Sequence, residues 1–309
     1  MSLSIRTSED QPSGGCFSNC FGLVLMLIIT VLALLFVIAS GAVFLAPRPT
    51  GPVSVLLMGT DARADSPGPA RTDTMILLVA DPATSKVVLI SIPRDLWVAI
   101  PNHGYNRINT ANFFGDAEQP GKGPQLAKQV VSENFGVPVQ HHIRIRFQGF
   151  LAVIDTLGGV TVDVPRDLDD DRYPTADYGT QHIHIPAGAQ HMDGETALIY
   201  ARSRYSTNDF DRARRQQQIL LAAYQKINSP TTWPRLPLVF SAFLAATESD
   251  MSGAEMVSIY RLIQSAGREN IHTLVIDQTL TQPYTTPEGG AVLLPRWDVI
   301  RPRLTSLLQ

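Results

Sequence analysis

Residues 21–46 form an uninterrupted apolar segment, FGLVLMLIITVLALLFVIASGAVFLA, that contains no charged side chain. Its 26 residues exceed the roughly 20 that an α-helix needs to cross the hydrocarbon core of a bilayer. A cleaved signal peptide matches less well, because its apolar region is usually about 7 to 15 residues long and follows a clearly basic start. Arg6 is the only basic residue before this segment. The sequence therefore predicts one transmembrane helix.

The apolar segment divides the chain into a short tail, residues 1–20, and a long remainder. Residues 47–52 are rich in proline and predict a linker. Residues 53–309 are numerous enough for one domain with a sizeable core. Charge alone leaves the orientation open, because Arg6 on one side is matched by Arg48 on the other. The motifs described below favour a cytoplasmic tail and an extracytoplasmic domain, held at the cell membrane by a single span.

Composition excludes two classes of protein. A net charge of -3 and a pI near 6.2 argue against a nucleic-acid partner. Both cysteines, Cys16 and Cys20, precede the apolar segment, so the rest of the chain has no disulfide framework and no cysteine-based metal site. We interpret the two cysteines as ordinary thiols of the tail.

Apolar alternation and helical periodicity predict the elements of the domain. A turn at Asp81 and Pro82 splits residues 74–92 into two strands, and the polar residues 165–181 are predicted to form a loop. Strands are predicted at residues 53–59, within 74–92, and at 142–147, 160–164 and 272–276, and helices at 124–135, 147–157, 193–201, 209–227, 237–246 and 252–266. Strands mixed with helices in this way predict an α/β domain of two or three layers.

The markers of several enzyme classes do not occur in the sequence. It has no G-x-G-x-x-G, Walker A, H-E-x-x-H or G-x-S-x-G pattern, which removes the signals for dinucleotide, P-loop, zincin and ordinary serine-hydrolase chemistry. His182 and His184 have a spacing that would suit a metal, but no third ligand of clear spacing follows. We interpret both as surface residues.

Two short motifs place a carboxylate and a guanidinium two residues apart. Asp61 and Arg63 directly follow the first predicted strand, and Arg71 and Asp73 precede the second. An extended backbone turns side chains i and i+2 to the same side, and the rim where strands end is a usual ligand site. Each Asp could merely neutralise the neighbouring Arg. Beside phosphate-binding arginines, however, Asp61 and Asp73 are predicted to bind Mg²⁺ or Mn²⁺, which prefer oxygen ligands.

Further arginines follow at positions that the same rim would gather. Arg94 and Asp95 end an apolar strand, and Arg107 follows in a predicted loop. In the segment YARSRY, Arg202 and Arg204 share a side if the chain is extended after the preceding helix. Two guanidinium forks could then grip one diphosphate.

The helix predicted at residues 209–227 carries another group of polar side chains. Arg212, Arg215 and Gln216 recur at i, i+3 and i+4, which places them on one helical face. Arg214 points elsewhere. A charged helical face is usually only solvated, but the nearness of the preceding arginine pair favours an anion-binding site.

Taken in order, these motifs resemble those of the LytR-CpsA-Psr (LCP) family. The matching segments are GTDAR, RTDTM, DPATSKVVLISIPRD, RINTA, FQGFLAVIDTLGGVTVDVP, DGETALIYARSR and DFDRARRQQ, spread over residues 53–217. One departure is Arg107, where the family motif usually begins with Lys, so a planar fork replaces a point charge. After residue 217 the resemblance is weaker, and we predict only helices and a strand that complete the core.

The resemblance implies an α/β/α layered domain with a central mixed sheet, which holds a polyprenyl pyrophosphate lipid with its tail in an apolar tunnel. Members attach glycopolymers to peptidoglycan, so the implied partners are a polyprenyl pyrophosphate-linked glycan, a peptidoglycan acceptor and the membrane. By motif, Asp61 and Asp73 match the metal-binding aspartates. The implied pyrophosphate-binding residues are Arg63, Arg71, Arg94, Arg107, Arg202, Arg204, Arg212, Arg215 and Gln216.

In the implied reaction, an acceptor hydroxyl attacks the phosphorus nearer the glycan and expels polyprenyl phosphate. Arginines and a divalent cation would stabilise the charge on the phosphate oxygens. Asp73, Asp95 and Arg94 are the predicted catalytic residues, and the choice between the two aspartates as general base stays open. Two alternatives also stay open: a pyrophosphatase that uses water as the acceptor, and a regulatory membrane protein that binds polyprenyl phosphate without turnover.

Overall fold

The computed structural model describes residues 48–60, 68–175, 179–204 and 208–309. Within it, Arg48–Gln309 form one unit by their mutual contacts. The predicted transmembrane helix at residues 21–46, Cys16 and Cys20 lie outside the described residues, and so do the site candidates Asp61 and Arg63. None of the described helices is long and apolar enough to span a bilayer.

Strands and helices alternate along these ranges. The strands are β1 Val53–Thr60, β2 Thr72–Asp81, β3 Lys86–Ser91, β4 Trp97–Ile100, β5 Gly104–Arg107, β6 His141–Arg146, β7 Val160–Val164, β8 Leu168–Pro174, β9 Thr180–Ile185, β10 Gly188–Met192, β11 Thr247–Ser249, β12 Ile271–Val275, β13 Thr281–Thr285 and β14 Ala291–Pro295. The helices are α1 Thr110–Glu118, α2 Gly123–Phe135, α3 Phe147–Leu157, α4 Gly194–Arg202, α5 Asp209–Ile227, α6 Leu236–Ala246, α7 Gly253–Ala266 and α8 Trp297–Leu308. Short 3₁₀ turns lie at Pro230–Arg235 and Arg268–Asn270.

Six of the strands form a central sheet in the order β11-β6-β1-β2-β3-β12. Strands β1, β3, β6 and β12 run in one direction, and β2 and β11 run against them. The expectation of an α/β fold with a central mixed sheet is therefore confirmed. The carboxyl ends of the four parallel strands share one edge of the sheet, which we call the upper rim.

Helices cover both faces of the sheet, which explains why β1, β2 and β3 are nearly continuous apolar runs rather than alternating ones. Helices α1, α2 and α8 pack on one face, with Ala111, Val130 and Ile300 in its core. Helices α5 and α7 cover the other face, with Leu220 and Ile259 among the packed side chains. Each large apolar side chain buried in these layers stabilises the fold by about 1.5–3 kcal/mol.

A second core lies beside the sheet and joins helices α3, α4 and α5 to the small sheets β7-β10 and β8-β9. The prediction that residues 165–181 form a loop was wrong for much of that range, because β8 and the start of β9 lie within it. The acidic run obscured a strand alternation in which Leu168, Asp170 and Tyr173 are buried and Asp169 and Asp171 are exposed.

Local capping fixes where the helices around the site begin and end. Helix α4 begins after Asp193, whose Oδ1 accepts a hydrogen bond from the Thr196 backbone N–H at 2.8 Å. Helix α5 begins after Asn208, whose side chain accepts one from Asp211 N–H, also at 2.8 Å. Such caps are typically worth about 1 kcal/mol. The first turn of α5 is thereby held at the upper rim.

Candidate functional site

A cavity of about 1060 Å³ lies between strands β1, β2 and β6 and helices α3 to α7. Its two ends differ in chemistry. The end at the upper rim is charged and is lined by Asp73, Arg94, Arg202, Arg204, Asp209 and Arg212. The interior is apolar and is lined, among others, by Ile76, Ile143, Phe150, Ile219, Phe243 and Ile263.

Helix α5 forms a wall of the cavity along its whole length. Arg212, Gln216, Ile219, Ala223 and Ile227 all line the cavity, and they recur three or four residues apart. With a rise of 1.5 Å per residue, the helix carries this lining over about 22 Å from Arg212 to Ile227. One helical face therefore changes from cationic to apolar along its axis.

Asp73 and Arg94 are in contact at the charged end. Arg94 Nη1 donates a hydrogen bond to Asp73 Oδ1 at 2.7 Å, and Arg94 Nε lies 3.5 Å from a carboxylate oxygen of both Asp95 and Asp209. Burial disfavours the charged form of Arg94, but the hydrogen bond to Asp73 and the charges of the three carboxylates outweigh it and raise the Arg94 pKa. Arg94 is therefore a cation held in a fixed position.

Asp209 lies among the arginines and was missed by the sequence analysis. Its Oδ1 lies 2.9 Å from Arg204 Nε and 3.6 Å from Arg212 Nη1. As the first residue of α5, it also faces the partial positive charge of the helix N-terminus. The signal was present in DFDRARR, where Asp209 precedes Arg212 by three residues, the spacing of neighbours on a helix.

Arg212 is a buried cation of the cavity whose donors are not all used. Its side chain is 7% exposed, and Nη2 donates to the Asp73 backbone oxygen at 3.4 Å. Its buried Nε has no hydrogen-bond partner among the described residues. Burial lowers the Arg212 pKa, and the positive charges of Arg94 and Arg204 lower it further. The negative charges of Asp209 and Asp73 raise it but do not offset the lowering. Since arginine stays protonated, Arg212 brings a positive charge to the charged end of the cavity.

Arg202 and Gln216 complete the cavity side of helices α4 and α5. The Arg202 guanidinium carbon lies 4.5 Å from the centre of the Phe147 ring, and Nη1 is 3.4 Å from the Tyr173 hydroxyl oxygen. Gln216 Nε2 donates to the Ala201 backbone oxygen at 3.3 Å. The aromatic contact orients the Arg202 guanidinium, because a cation is attracted to the face of a ring.

Arg215 occupies a different place from the one predicted. Its Nε donates to the Tyr200 backbone oxygen at 2.8 Å and its Nη2 donates to the Ser203 backbone oxygen. On helix α5, Arg212 and Gln216 face the cavity, whereas Arg215 faces the end of α4. Arg215 therefore lies outside the cavity lining and anchors the turn that carries Arg202 and Arg204, and its pyrophosphate-binding role stays a prediction.

Three other predicted residues stand outside the cavity lining. Asp95 Oδ1 pairs with Arg107 Nε at 3.1 Å, and Arg107 Nη2 donates to the Ala291 backbone oxygen at 2.9 Å. Arg71 is exposed and forms no hydrogen bond or ion pair with another of the residues that the structure describes. Asp95 thus links Arg94 to Arg107 beside the cavity rather than within it.

Asp170 is a second residue that the sequence analysis missed. Its carboxylate is buried, and Oδ2 accepts hydrogen bonds from Ser203 Oγ at 2.6 Å and from Arg204 N–H at 3.0 Å. The signal in the sequence was the position of Asp170 in the middle of three consecutive aspartates, on the side of the strand that Leu168 shares. Asp170 holds the backbone that carries Arg204. Arg146 and Arg172 also line the cavity and were not predicted.

Carboxylate oxygens at the charged end are the ligand type that a hard cation prefers. The described residues contain no group of three or more His, Cys, Asp and Glu side chains placed to hold a metal. Mg²⁺ usually takes only one or two protein carboxylates, with phosphate oxygens and water completing its shell. Asp73, partly exposed in the cavity, fits one such ligand, and Asp61 lies outside the described residues. His182 and His184 are exposed and pair with nearby aspartates instead.

A sequence model of the LytR_cpsA_psr family matches residues 39–291. The match extends beyond the motifs at residues 53–217 and covers most of the chain. The chain belongs to the LytR-CpsA-Psr family, and the resemblance identified from the motifs is confirmed.

Relatives with assigned names share much of this chain. The polyisoprenyl-teichoic acid–peptidoglycan teichoic acid transferase TagU of Oceanobacillus iheyensis is 34% identical over 228 residues, 73% of this chain and 67% of the relative. The chain spans about half the length of some other relatives. The crystal structure of B. subtilis TagV aligns with a TM-score of 0.68 at 26% identity, covering 84% of this chain and 98% of TagV. The structure of TagT bound to LI-WTA aligns with a TM-score of 0.63 at 22% identity, covering 84% of this chain and 91% of TagT. At that identity the similarity shows the fold alone.

Proposed function

We propose that this chain transfers a glycopolymer phosphate from a polyprenyl pyrophosphate-linked precursor to a peptidoglycan hydroxyl and releases polyprenyl phosphate. The observation that carries the proposal is a single cavity that joins a cationic end to a long apolar interior. That combination is complementary to an amphiphile with an anionic head and a hydrocarbon tail. The choice of reaction is supported by the name of the Oceanobacillus relative, a transferase that joins polyisoprenyl-linked teichoic acid to peptidoglycan.

The apolar interior is assigned to the polyprenyl tail. Burial of hydrocarbon contributes about 0.8 kcal/mol per CH₂, so even part of a long tail along α5 would bind firmly. Organic extraction of the purified chain followed by mass spectrometry tests this assignment. Added polyprenyl phosphate should also raise the melting temperature, because a ligand that binds only the folded state stabilises it. Absence of both effects would contradict a lipid tunnel.

The charged end is assigned to the diphosphate. The acceptor oxygen bonds to the phosphorus nearer the glycan while the bridging oxygen leaves with polyprenyl phosphate, and negative charge grows on the phosphate oxygens. Arg94 and Arg212 are held in place before substrate arrives, so they can stabilise that charge without reorganising. Arg202 and Arg204, at the end of α4 and just after it, also line the charged end and complete the clamp.

Asp73 is favoured over Asp95 as the residue that accepts the proton of the acceptor hydroxyl. Both oxygens of Asp95 already lie near guanidinium groups, those of Arg94 and Arg107. Asp73 lines the cavity and is paired through Oδ1 with Arg94. A divalent cation held by Asp73 and Asp61 would supply further neutralisation of phosphate charge.

We further propose that residues 21–46 anchor the chain and that the domain faces outward, because the proposed acceptor lies outside the cell. A reporter fused after Gln309 tests this orientation. Activity of the reporter only in the cytoplasm would reverse the topology and remove the acceptor from reach.

The decisive experiment follows both products. The full chain is incubated with a polyprenyl pyrophosphate-linked, radiolabelled glycan in the presence and absence of peptidoglycan, with Mg²⁺ or Mn²⁺. Transfer predicts polyprenyl phosphate and label joined to peptidoglycan only when the acceptor is present. Release of free glycan phosphate without acceptor would identify a pyrophosphatase instead, and lipid binding without release would identify a non-catalytic binder.

A further inference from the structure

Helix α6 exposes an apolar face that carries no charge. The sequence of the helix, LPLVFSAFLAA, has no charged residue. The face open to solvent consists of Pro237, Leu238, Ser241, Leu244 and Ala245. Leu238 is 62% exposed and Leu244 is 40% exposed. A helix that is apolar all round is normally buried, so this face lacks a non-aqueous partner among the described residues.

The 3₁₀ turn before α6 extends the same surface. Trp233 in this turn is 60% exposed, and Pro234 beside it is exposed as well. Tryptophan has an apolar body and one N–H donor, which suits the boundary between hydrocarbon and water. We call Trp233, Pro234 and the exposed face of α6 the α6 surface.

The charge around the α6 surface is one-sided. Residues 226–247 contain Lys226 and Arg235 but no Asp or Glu, in a chain whose net charge is negative. Glu248 follows directly and pairs with Arg144, so Lys226 and Arg235 are the charges of the stretch that holds Trp233 and Leu238. Cations beside an apolar face are complementary to a bilayer with anionic headgroups. A soluble protein partner would require no such bias.

The α6 surface also lies over the apolar end of the cavity. Phe243, on the inner side of α6, and Ile227, at the end of α5, both line the cavity, and the 3₁₀ turn follows α5 directly. We propose that the α6 surface docks on the bilayer and that the apolar end of the cavity opens there to admit the lipid tail. The second half of this proposal rests on the proposed function, whereas the docking itself does not.

Depth-dependent fluorescence quenching tests the docking in the full chain. Cys16 and Cys20 are replaced by Ser, and single Leu238→Cys or Leu244→Cys variants are labelled with an NBD fluorophore. The labelled protein is reconstituted in vesicles of equal parts phosphatidylcholine and phosphatidylglycerol that carry doxyl-labelled lipid. Tyr105→Cys and Tyr284→Cys are the matched controls, because both tyrosines are exposed but lie on other elements.

Docking predicts strong doxyl quenching and a blue-shifted emission at positions 238 and 244, and neither at positions 105 and 284. Equal quenching at all four positions would overturn the proposal. Absence of quenching at position 238, together with an intermolecular disulfide formed by the unlabelled Leu238→Cys chain under an added oxidant, would overturn it in favour of a second copy of this chain.

A paired variant separates the docking from the reaction. Leu238→Asp combined with Leu244→Asp should lose its turnover on lipid substrate embedded in vesicles and keep its turnover on substrate in detergent micelles. Equal loss in both settings, or loss in neither, would overturn the role of the α6 surface in lipid entry. If the wild-type chain turns over no substrate in either setting, the proposed function fails while the quenching result still decides the docking.

Discussion

Two clusters of charged side chains lie at opposite ends of the central sheet, and they differ in how completely their charges are paired. The upper cluster consists of Asp73, Arg94, Asp209 and Arg212, and the lower cluster of Lys128, His142 and Asp250. In the lower cluster, Asp250 accepts hydrogen bonds from Lys128 Nζ and from His142 N–H. Among the described residues, one buried atom of the lower cluster, His142 Nδ1, lacks a hydrogen bond, and it lies 3.2 Å from Asp250 Oδ2. In the upper cluster, both Arg94 Nε and Arg212 Nε are buried without a hydrogen-bond partner among the described residues.

The difference separates charge that stabilises the fold from charge that awaits a ligand. Burial opposes the ionised form of Asp250, yet its hydrogen bonds and neighbouring cations lower its pKa to about 2. Such pairing ties β6, α2 and the loop after β11 together. An incompletely paired buried guanidinium costs stability instead, so it is expected where function requires it. The following variants test that division.

Arg212→Ala should produce the largest effect. Transfer should fall about 10²–10³-fold, the usual loss when one preorganised charge-stabilising donor is removed. The melting temperature should change little, because a poorly paired buried charge is removed. Initial rates and thermal unfolding measure the two effects. A rate within tenfold of wild type would show that Arg212 does not contact the reacting phosphates.

Arg215→Ala should act on stability first. Two buried backbone oxygens, of Tyr200 and Ser203, would lose their donor, at a cost of roughly 2–4 kcal/mol in the free energy of unfolding. Urea denaturation measures this cost. An unchanged unfolding free energy together with lost transfer would restore the predicted phosphate contact and remove the contrast with Arg212.

The double variant Arg202→Lys, Arg204→Lys should lower kcat/KM by about tenfold or more. The positive charges remain, but the two-pronged phosphate contact and the stacking of Arg202 on Phe147, worth about 1–2 kcal/mol, are lost. Steady-state kinetics provide the measurement. Normal kinetics would mean that charge alone suffices at the end of α4.

Asp250→Asn should reduce stability by about 1 kcal/mol at neutral pH, a value discounted for the 27% exposure of the side chain. The folded-state pKa of Asp250 lies below its ordinary 3.8, so its contribution is present above about pH 4 and is lost as the pH falls towards 2. Urea denaturation across this range should therefore show the wild-type and variant curves converging in acid. Parallel curves would contradict the pairing.

Arg214→Ala should have the smallest effect. Arg214 is on the same helix, but its side chain is 50% exposed and pairs with Asp211 at 2.9 Å and Asp277 at 3.0 Å. Exposed ion pairs of this kind contribute about 0–1 kcal/mol. Transfer rate and melting temperature should both stay close to wild type. A large loss of rate would show that charge on α5 matters regardless of the direction in which it points.

Elements with a strong local period were predictable from the sequence. Strands β1 and β7 and helix α5 match the predicted ranges closely, because alternation and helical spacing depend on neighbouring residues alone. Helix α1 was not predicted. Its Asn112 donates to the Ala70 backbone oxygen, and its Gly115 packs directly against the backbone of Lys122 and Gly123. Those contacts are made with residues outside the helix, so the sequence of the helix itself does not predict them.

The hairpins β4-β5 and β13-β14 were missed for the same reason. Strand β14 meets the residues just before β4 through a hydrogen bond from Leu293 N–H to the Asp95 backbone oxygen at 3.0 Å, across nearly two hundred residues. Helix α8 contains Pro302, which weakens any helical signal, yet it is held by its buried Ile300 and Leu304. Tertiary packing overrides local propensity in such cases.

The sequence by itself determined the residue types and their order: the apolar segment, the ends of the sheet strands, and the arginines of the LCP motifs. Tertiary structure decided which of them share one site. Helical spacing fixes the angles between Arg212, Arg215 and Gln216, but not the rotation of α5 against the sheet, and that rotation turns Arg212 to the cavity and Arg215 to backbone oxygens. The same packing of α5 places Asp209 among Arg94, Arg204 and Arg212. Burial and pairing depend on contacts between distant segments, which spacing along the chain does not encode.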